Sequence, residues 1–117
     1  MDKRLKDYRE KKIYYESLSS TIKDIERTIG NKDYPESADR LTALYQERDG
    51  VAKELKEAEF DLLYRCRALE PIEKAMVVDK IIKGLSNKRL ADKYMYSHGA
   101  FRNKMSKILK RIGMSEK

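Results

Sequence analysis

The stretch Leu85-Ser86-Asn87-Lys88-Arg89-Leu90-Ala91-Asp92-Lys93-Tyr94-Met95-Tyr96-Ser97-His98-Gly99-Ala100-Phe101-Arg102-Asn103-Lys104 decides how this chain is read. It predicts two short helices joined by a tight turn. Ser86 and Ser97 each stand where a helix would begin, and a serine oxygen there accepts a hydrogen bond from an orphan N–H of the first turn. Leu90 and Ala91 supply the apolar face of the first helix, Phe101 and Met105 that of the second. Between them Tyr94-Met95-Tyr96 gives a connection of the length a helix-turn-helix uses. The second helix would then offer His98, Gly99, Ala100, Arg102 and Asn103 to a DNA groove.

The neighbours on either side support this reading. Glu70-Pro71 marks a helix start, because proline is well placed at the first helical position. Ile72, Met76, Val77, Ile81 and Ile82 are expected to form the buried face of that helix, and Gly84 to end it. Downstream, Phe101, Met105, Ile108, Leu109 and Ile112 continue one stripe as far as Gly113, and residues 114–117 read as a frayed tail.

The N-terminal half has a different pattern. Tyr8, Tyr15, Ile22 and Ile29 recur every seven residues, with Leu18 and Ile25 between them. This a/d stripe predicts one helix over 2–29 that needs a partner. Gly30 suits the position just past a helix end, Pro35 breaks the pattern and Ser37 is a candidate cap. A second helix is expected over 38–69, with the seam Leu41, Leu44, Arg48, Val51, Leu55, Ala58, Leu62, Arg65 and Leu69. The two would fold back as an antiparallel hairpin on the order of 40 Å long. Arg48 and Arg65 on the seam need partners, of which Glu16, Asp24 and Glu26 are candidates, or a place at the edge. Polar seam residues often set register and partner number, which motivates the hypothesis that two copies pair through the hairpin.

The fold class expected is therefore all-α, with a helical hairpin at 1–69 and a helix-turn-helix domain at 70–117. Charge divides along the same line. Residues 1–70 hold 15 Lys+Arg and 16 Asp+Glu, a net of −1, whereas residues 71–117 hold 12 and 4, a net of +8. A basic segment beside a neutral one points to a polyanion partner for the basic part. Charged residues make up 40% of the chain and mean hydropathy is −0.82, yet the apolar residues are periodic, which favours long solvated helices over disorder.

Cys66 is the single cysteine, so an internal disulfide is excluded; a packed thiol in a reducing, cytoplasmic setting is expected. No apolar run approaches the ~18 residues of a membrane span, and no signal core follows the N-terminus. The lone histidine, His98, has no second histidine to build a metal site with. Nothing assembles a nucleophile, a base and an oxyanion site, and no Gly-rich phosphate loop is present. Neither an enzyme nor a cofactor is expected.

Residues 69–113 resemble region 4 of bacterial sigma factors. The resemblance is carried by Gly84, Ser86, Leu90-Ala91, Ser97, Phe101 and Arg102. With its long helical N-terminus, the whole chain resembles phage-encoded transcription regulators of Gram-positive hosts, of the RinA and ArpU kind. The resemblance implies double-stranded DNA as partner, control of late phage genes, and contact with RNA polymerase. The chain departs from the pattern at Met95, where glycine is usual, and at Gly99, a weak helix former near the start of the recognition helix.

On this reading Arg102 can donate two bonds to guanine and Asn103 can pair with adenine. His98, Gly99 and Ala100 complete the set facing base edges. Lys88, Arg89, Lys93, Tyr96, Ser97, Lys104 and Lys107 would contact phosphates, which position the protein without reading sequence. Three alternatives stay open: a small bundle whose basic residues are only solvated, a protein-interaction module that binds RNA polymerase or another regulator, and a nonspecific architectural binder.

Overall fold

The computed structural model describes residues 2–29 and 35–114. Five α-helices account for most of them: α1 (Lys3–Ile29), α2 (Pro35–Arg65), α3 (Pro71–Val77), α4 (Asn87–Lys93) and α5 (His98–Arg111). A 3-10 turn, Cys66–Ala68, continues α2, and a π-helical stretch, Val78–Ile82, continues α3. The chain is all-α; no strand occurs among the described residues.

α2 differs from the helix expected over 38–69 at both ends. It begins at Pro35, where a fixed φ and a missing N–H suit the first helical position; Ser37 therefore lies inside the helix. At the other end the α-helix stops at Arg65, and Leu69 is extended (φ −77°, ψ 156°). Proline disfavours the helical region for the residue before it, and Glu70 is accordingly extended (φ −68°, ψ 154°), so the helix cannot run through 70 into Pro71. The proposed helix end at Gly30 lies outside the described residues.

Packing divides the chain into two compact units. One is Tyr8–Ala58, whose buried side chains include Tyr8, Leu18, Ile22, Leu41 and Leu55. Within it Lys11 pairs with Glu54 (3.1 Å) and the Tyr14 hydroxyl donates to Glu47. These contacts run in opposite sequence directions along α1 and α2. Arg48 sits at the edge of the seam, paired with Asp49 (3.6 Å) and 5.2 Å from the Tyr45 ring, rather than with any acid of α1.

The other unit joins Met1–Asp7 to Glu59–Lys117. Its core contains Leu5, Leu62, Cys66, Leu69, Met76, Val77, Leu90, Ala91, Phe101, Met105, Ile108, Ile112 and Met114. Leu62 and Cys66, near the end of α2, are buried with the C-terminal helices. Burial pushes the Cys66 thiol pKa upward, as for a packed, unreactive sulfur. Arg65, for which the seam spacing left either an acidic partner on α1 or a place at the edge, is half-buried and bonds Asp61 (2.9 Å) and the Ile112 carbonyl (3.3 Å).

Two further expectations are corrected here. Met114 is buried in this core rather than part of a frayed tail. Its N–H bonds the Leu109 carbonyl (2.8 Å) across Gly113, whose φ of 77° gives the left-handed reversal that folds it back. Ile72 is 54% exposed, and the inward position beside it belongs to Glu73.

Candidate nucleic-acid interface

α4 and α5 are each started by a serine. Ser86 Oγ accepts from the Arg89 N–H and Ser97 Oγ from the Ala100 N–H, both at 3.2 Å. The link between them is a helix C-terminus of defined chemistry. The Met95 N–H reaches the Asp92 carbonyl (3.3 Å) and the Tyr96 N–H reaches the Ala91 carbonyl (2.8 Å). This pair of bonds is the Schellman arrangement, which needs a left-handed residue between the two helices. Met95 supplies it with φ 60°, and its side chain is 93% exposed. The departure from glycine therefore leaves the turn intact but strained. Met95→Gly removes a left-handed penalty of roughly 1–2 kcal/mol, partly offset by glycine's greater freedom when unfolded. A net gain of about 1 kcal/mol is expected, visible as a melting temperature several degrees higher in a thermal scan.

Two buried carboxylates hold these helices against α3. Asp79, 3% exposed, accepts from Lys93 Nζ and from the Tyr94 hydroxyl, both at 2.6 Å, with Lys83 at 3.4 Å. The Lys93 and Tyr94 bonds hold its pKa down at about 2. Tyr94 is pushed up to about 12, by burial first and by Asp79 second. Glu73, 4% exposed, pairs with Lys104 (3.1 Å) and Arg111 (3.3 Å) on α5 and accepts from the Glu70 N–H. The Lys104 bond, ahead of the other contacts, lowers its pKa. One acid thus ties α4 and its turn, and the other ties α5.

Phe101, fully buried, roots α5 in the core, with Met105, Ile108 and Ile112 behind it on the same face. The residues around Phe101 face outward in consequence. His98, Gly99, Ala100, Arg102 and Asn103 are all exposed, on the first turn and a half of α5. Lys88, Arg89 and Lys107 are exposed as well, and Ser97 is exposed while serving as the cap. Three other candidates for phosphate contact carry structural duties. Lys93 and Lys104 spend their ammonium groups on Asp79 and Glu73. Tyr96 is half-buried, its ring meeting Phe101 edge to face at 6.2 Å and 63°.

Glu73 and Asp79 are the residues that pattern reading missed. A signal for them exists: both acids lie in a run of apolar residues, Ile72 to Ile82, within a segment otherwise dominated by Lys and Arg. An acid there is placed to be buried and to be paired.

Among the described residues no group of three or more His, Cys, Asp or Glu is placed to hold a metal ion, and no helix is long and apolar enough to cross a membrane. No family model, curated protein or solved structure matches the chain.

Proposed function

We propose that the chain is a sequence-specific double-stranded DNA-binding protein that regulates transcription, with α4 and α5 acting as its helix-turn-helix. The observation that carries this reading is the exposed first turn of α5. It is capped, anchored by Phe101 and braced by Glu73, yet it leaves Arg102 and Asn103 in solvent. Side chains held on a rigid helix without internal partners suit base readout, since little further order is required on binding. Arg102 would take guanine and Asn103 adenine, with Gly99 and Ala100 allowing a close approach.

Lys88, Arg89 and Lys107 would neutralise phosphates first, because Lys93 and Lys104 already serve buried carboxylates. The excess charge of the C-terminal segment would add a salt-dependent attraction for any duplex. The resemblance to phage regulators extends the proposal to late-gene control and to contact with RNA polymerase.

The test is selection of bound duplexes from a random pool at near-physiological salt. A defined motif is expected. Changing Arg102 and Asn103 together to alanine should weaken binding to that motif by about 30-fold or more, as each bidentate base contact contributes about 1–3 kcal/mol of discrimination. Helical content should not change, because both side chains are exposed. A folded protein that enriches no motif would overturn the reading and favour an interaction module that binds RNA polymerase.

A further inference from the structure

Along one edge of α5 stand three cations, Lys104, Lys107 and Arg111. Residues three and four apart are neighbours on a helix surface, so the three form a row. Ala100, four residues before Lys104, continues that row into the exposed first turn. Lys107, in the middle, is exposed. The cations on either side of it are both held by one acid on α3. Glu73, 4% exposed, pairs with Lys104 Nζ at 3.1 Å and accepts from Arg111 Nη1 at 3.3 Å on both carboxylate oxygens. The lysine and arginine side chains are themselves 37% and 57% exposed. What withdraws them from anions in solvent is therefore the charge of Glu73 and not burial.

We infer that Glu73 is an internal rival of DNA phosphate: by holding Lys104 and Arg111 it limits the attraction of α5 for duplexes of any sequence. This role rests on the DNA-binding reading above and deepens it. Glu73 touches neither base nor phosphate; it is a positioning residue that acts through the two cations.

The energetics favour the internal pair. A cation that left Glu73 for a phosphate would leave a buried carboxylate short of its counter-charge, a costly change. The carboxylate cannot follow its partner outward, because the Glu70 N–H (3.3 Å) ties it to the start of α3. A phosphate on the duplex surface is solvated and offers less than Glu73 does. Released from Glu73, the same cations would meet phosphates readily. Lys104 and Arg111 are about 10 Å apart along the helix axis, a length over which a duplex carries roughly six charges. Each phosphate neutralised adds about 0.9 to the dependence of log affinity on log salt, whatever the sequence. In a segment with a net charge of +8, holding two cations back leaves base contacts a larger share of the binding free energy. It also lets the chain leave arbitrary sequence sooner, since weaker binding is mostly faster release.

The test is titration of the full chain with a duplex of scrambled sequence, followed by fluorescence anisotropy, from about 50 mM to about 300 mM salt. Glu73→Gln keeps the shape of the side chain and an oxygen for Lys104 but removes the charge. At about 100 mM salt it should bind the scrambled duplex roughly three- to tenfold more tightly than the wild type, and its salt slope should be steeper by about 1 to 2. Melting temperature serves as the folding control. A folded Glu73→Gln chain whose slope does not steepen would overturn the inference and leave the DNA-binding reading standing. A wild-type chain that binds no duplex at any salt would overturn both. Where Glu73→Gln fails to fold, two lysine variants decide. Lys107→Met should lower the wild-type slope by about 0.9 and Lys104→Met by less than about 0.3; equal losses would overturn the inference.

Discussion

Phe101→Ala is expected to destabilise the C-terminal unit by about 3–5 kcal/mol, the usual range for emptying a buried phenylalanine site. Phe101 has no solvent exposure and shares its core with Leu90, Met105 and Ile108. The tyrosine that meets its ring, Tyr96, is fixed by the turn's own hydrogen bond and can close the gap only in part. Since native domains are stable by only about 5–15 kcal/mol, a fall in melting temperature of more than about 10 °C should follow. The other phenylalanine is the built-in control. Phe60→Ala at 77% exposure should shift the melting temperature by no more than a degree or two at low protein concentration. Equal losses from the two substitutions would contradict this account of the core.

Asp79→Ala is expected to be nearly as damaging, at about 2–3 kcal/mol near neutral pH. Removal leaves the Tyr94 hydroxyl half-buried without its acceptor and takes the counter-charge from Lys93. The lysine side chain is half exposed, which keeps the figure below the range for a fully buried pair. The pH dependence gives an independent check. The folded pKa of Asp79 is about 2, against an ordinary value of 3.8. In the window between, the unfolded chain binds the proton first, so stability rises with pH there. The contribution is fully present above about pH 4 to 5 and is lost as pH falls toward 2. Tyr94 acts in the opposite direction: with a folded pKa of about 12 against 10.0, its contribution is present below pH 10 and lost as pH rises toward 12. Thermal melts at pH 7, 5, 3 and 2 should show a steep acid decline in the wild type. The Asp79→Ala chain should decline less, the remaining slope coming from Glu73, which is also held low. Identical acid slopes would remove Asp79 from the account.

These two residues also mark where the sequence was readable. Phe101 could be placed inward from spacing alone, since Met105, Ile108 and Ile112 repeat on its face and a helix has only one way to bury them together. The same logic put Arg102 and Asn103 outside, and both are exposed. The serine caps were legible because capping is a contact between residues three apart, Ser86 with Arg89 and Ser97 with Ala100. Met95 stood out only as a departure from the glycine usual in the pattern the segment resembles; that it takes the left-handed conformation (φ 60°) is shown by the structure.

Asp79 and Glu73 were not legible in that way. Their partners lie 14 and 31 residues along the chain, at Lys93 and Lys104, and pairing over such separations has no periodic signature. The consequence reaches the candidate interface, because lysines proposed from the sequence as phosphate contacts are in part structural cations. Arg65 repeats the lesson. It sits on a heptad seam, yet its partners are its own helix at Asp61 and the end of α5 at Ile112, as the core around Leu62 and Cys66 draws the end of α2 into the C-terminal unit.

By itself, then, the sequence determined the local and periodic facts: an all-α chain, where α4 and α5 begin, the short connection Tyr94-Met95-Tyr96 between them and which face of α5 is apolar. Those depend on backbone chemistry and on spacings of three to seven residues, which a linear text records. Only the tertiary structure decided which charges are paired, that the last turns of α2 and Met114 belong to the C-terminal core, and that Phe60 and Tyr64 are left in solvent. Each depends on what packs against a residue from far along the chain, and burial of a charge is tolerated only where that distant partner arrives.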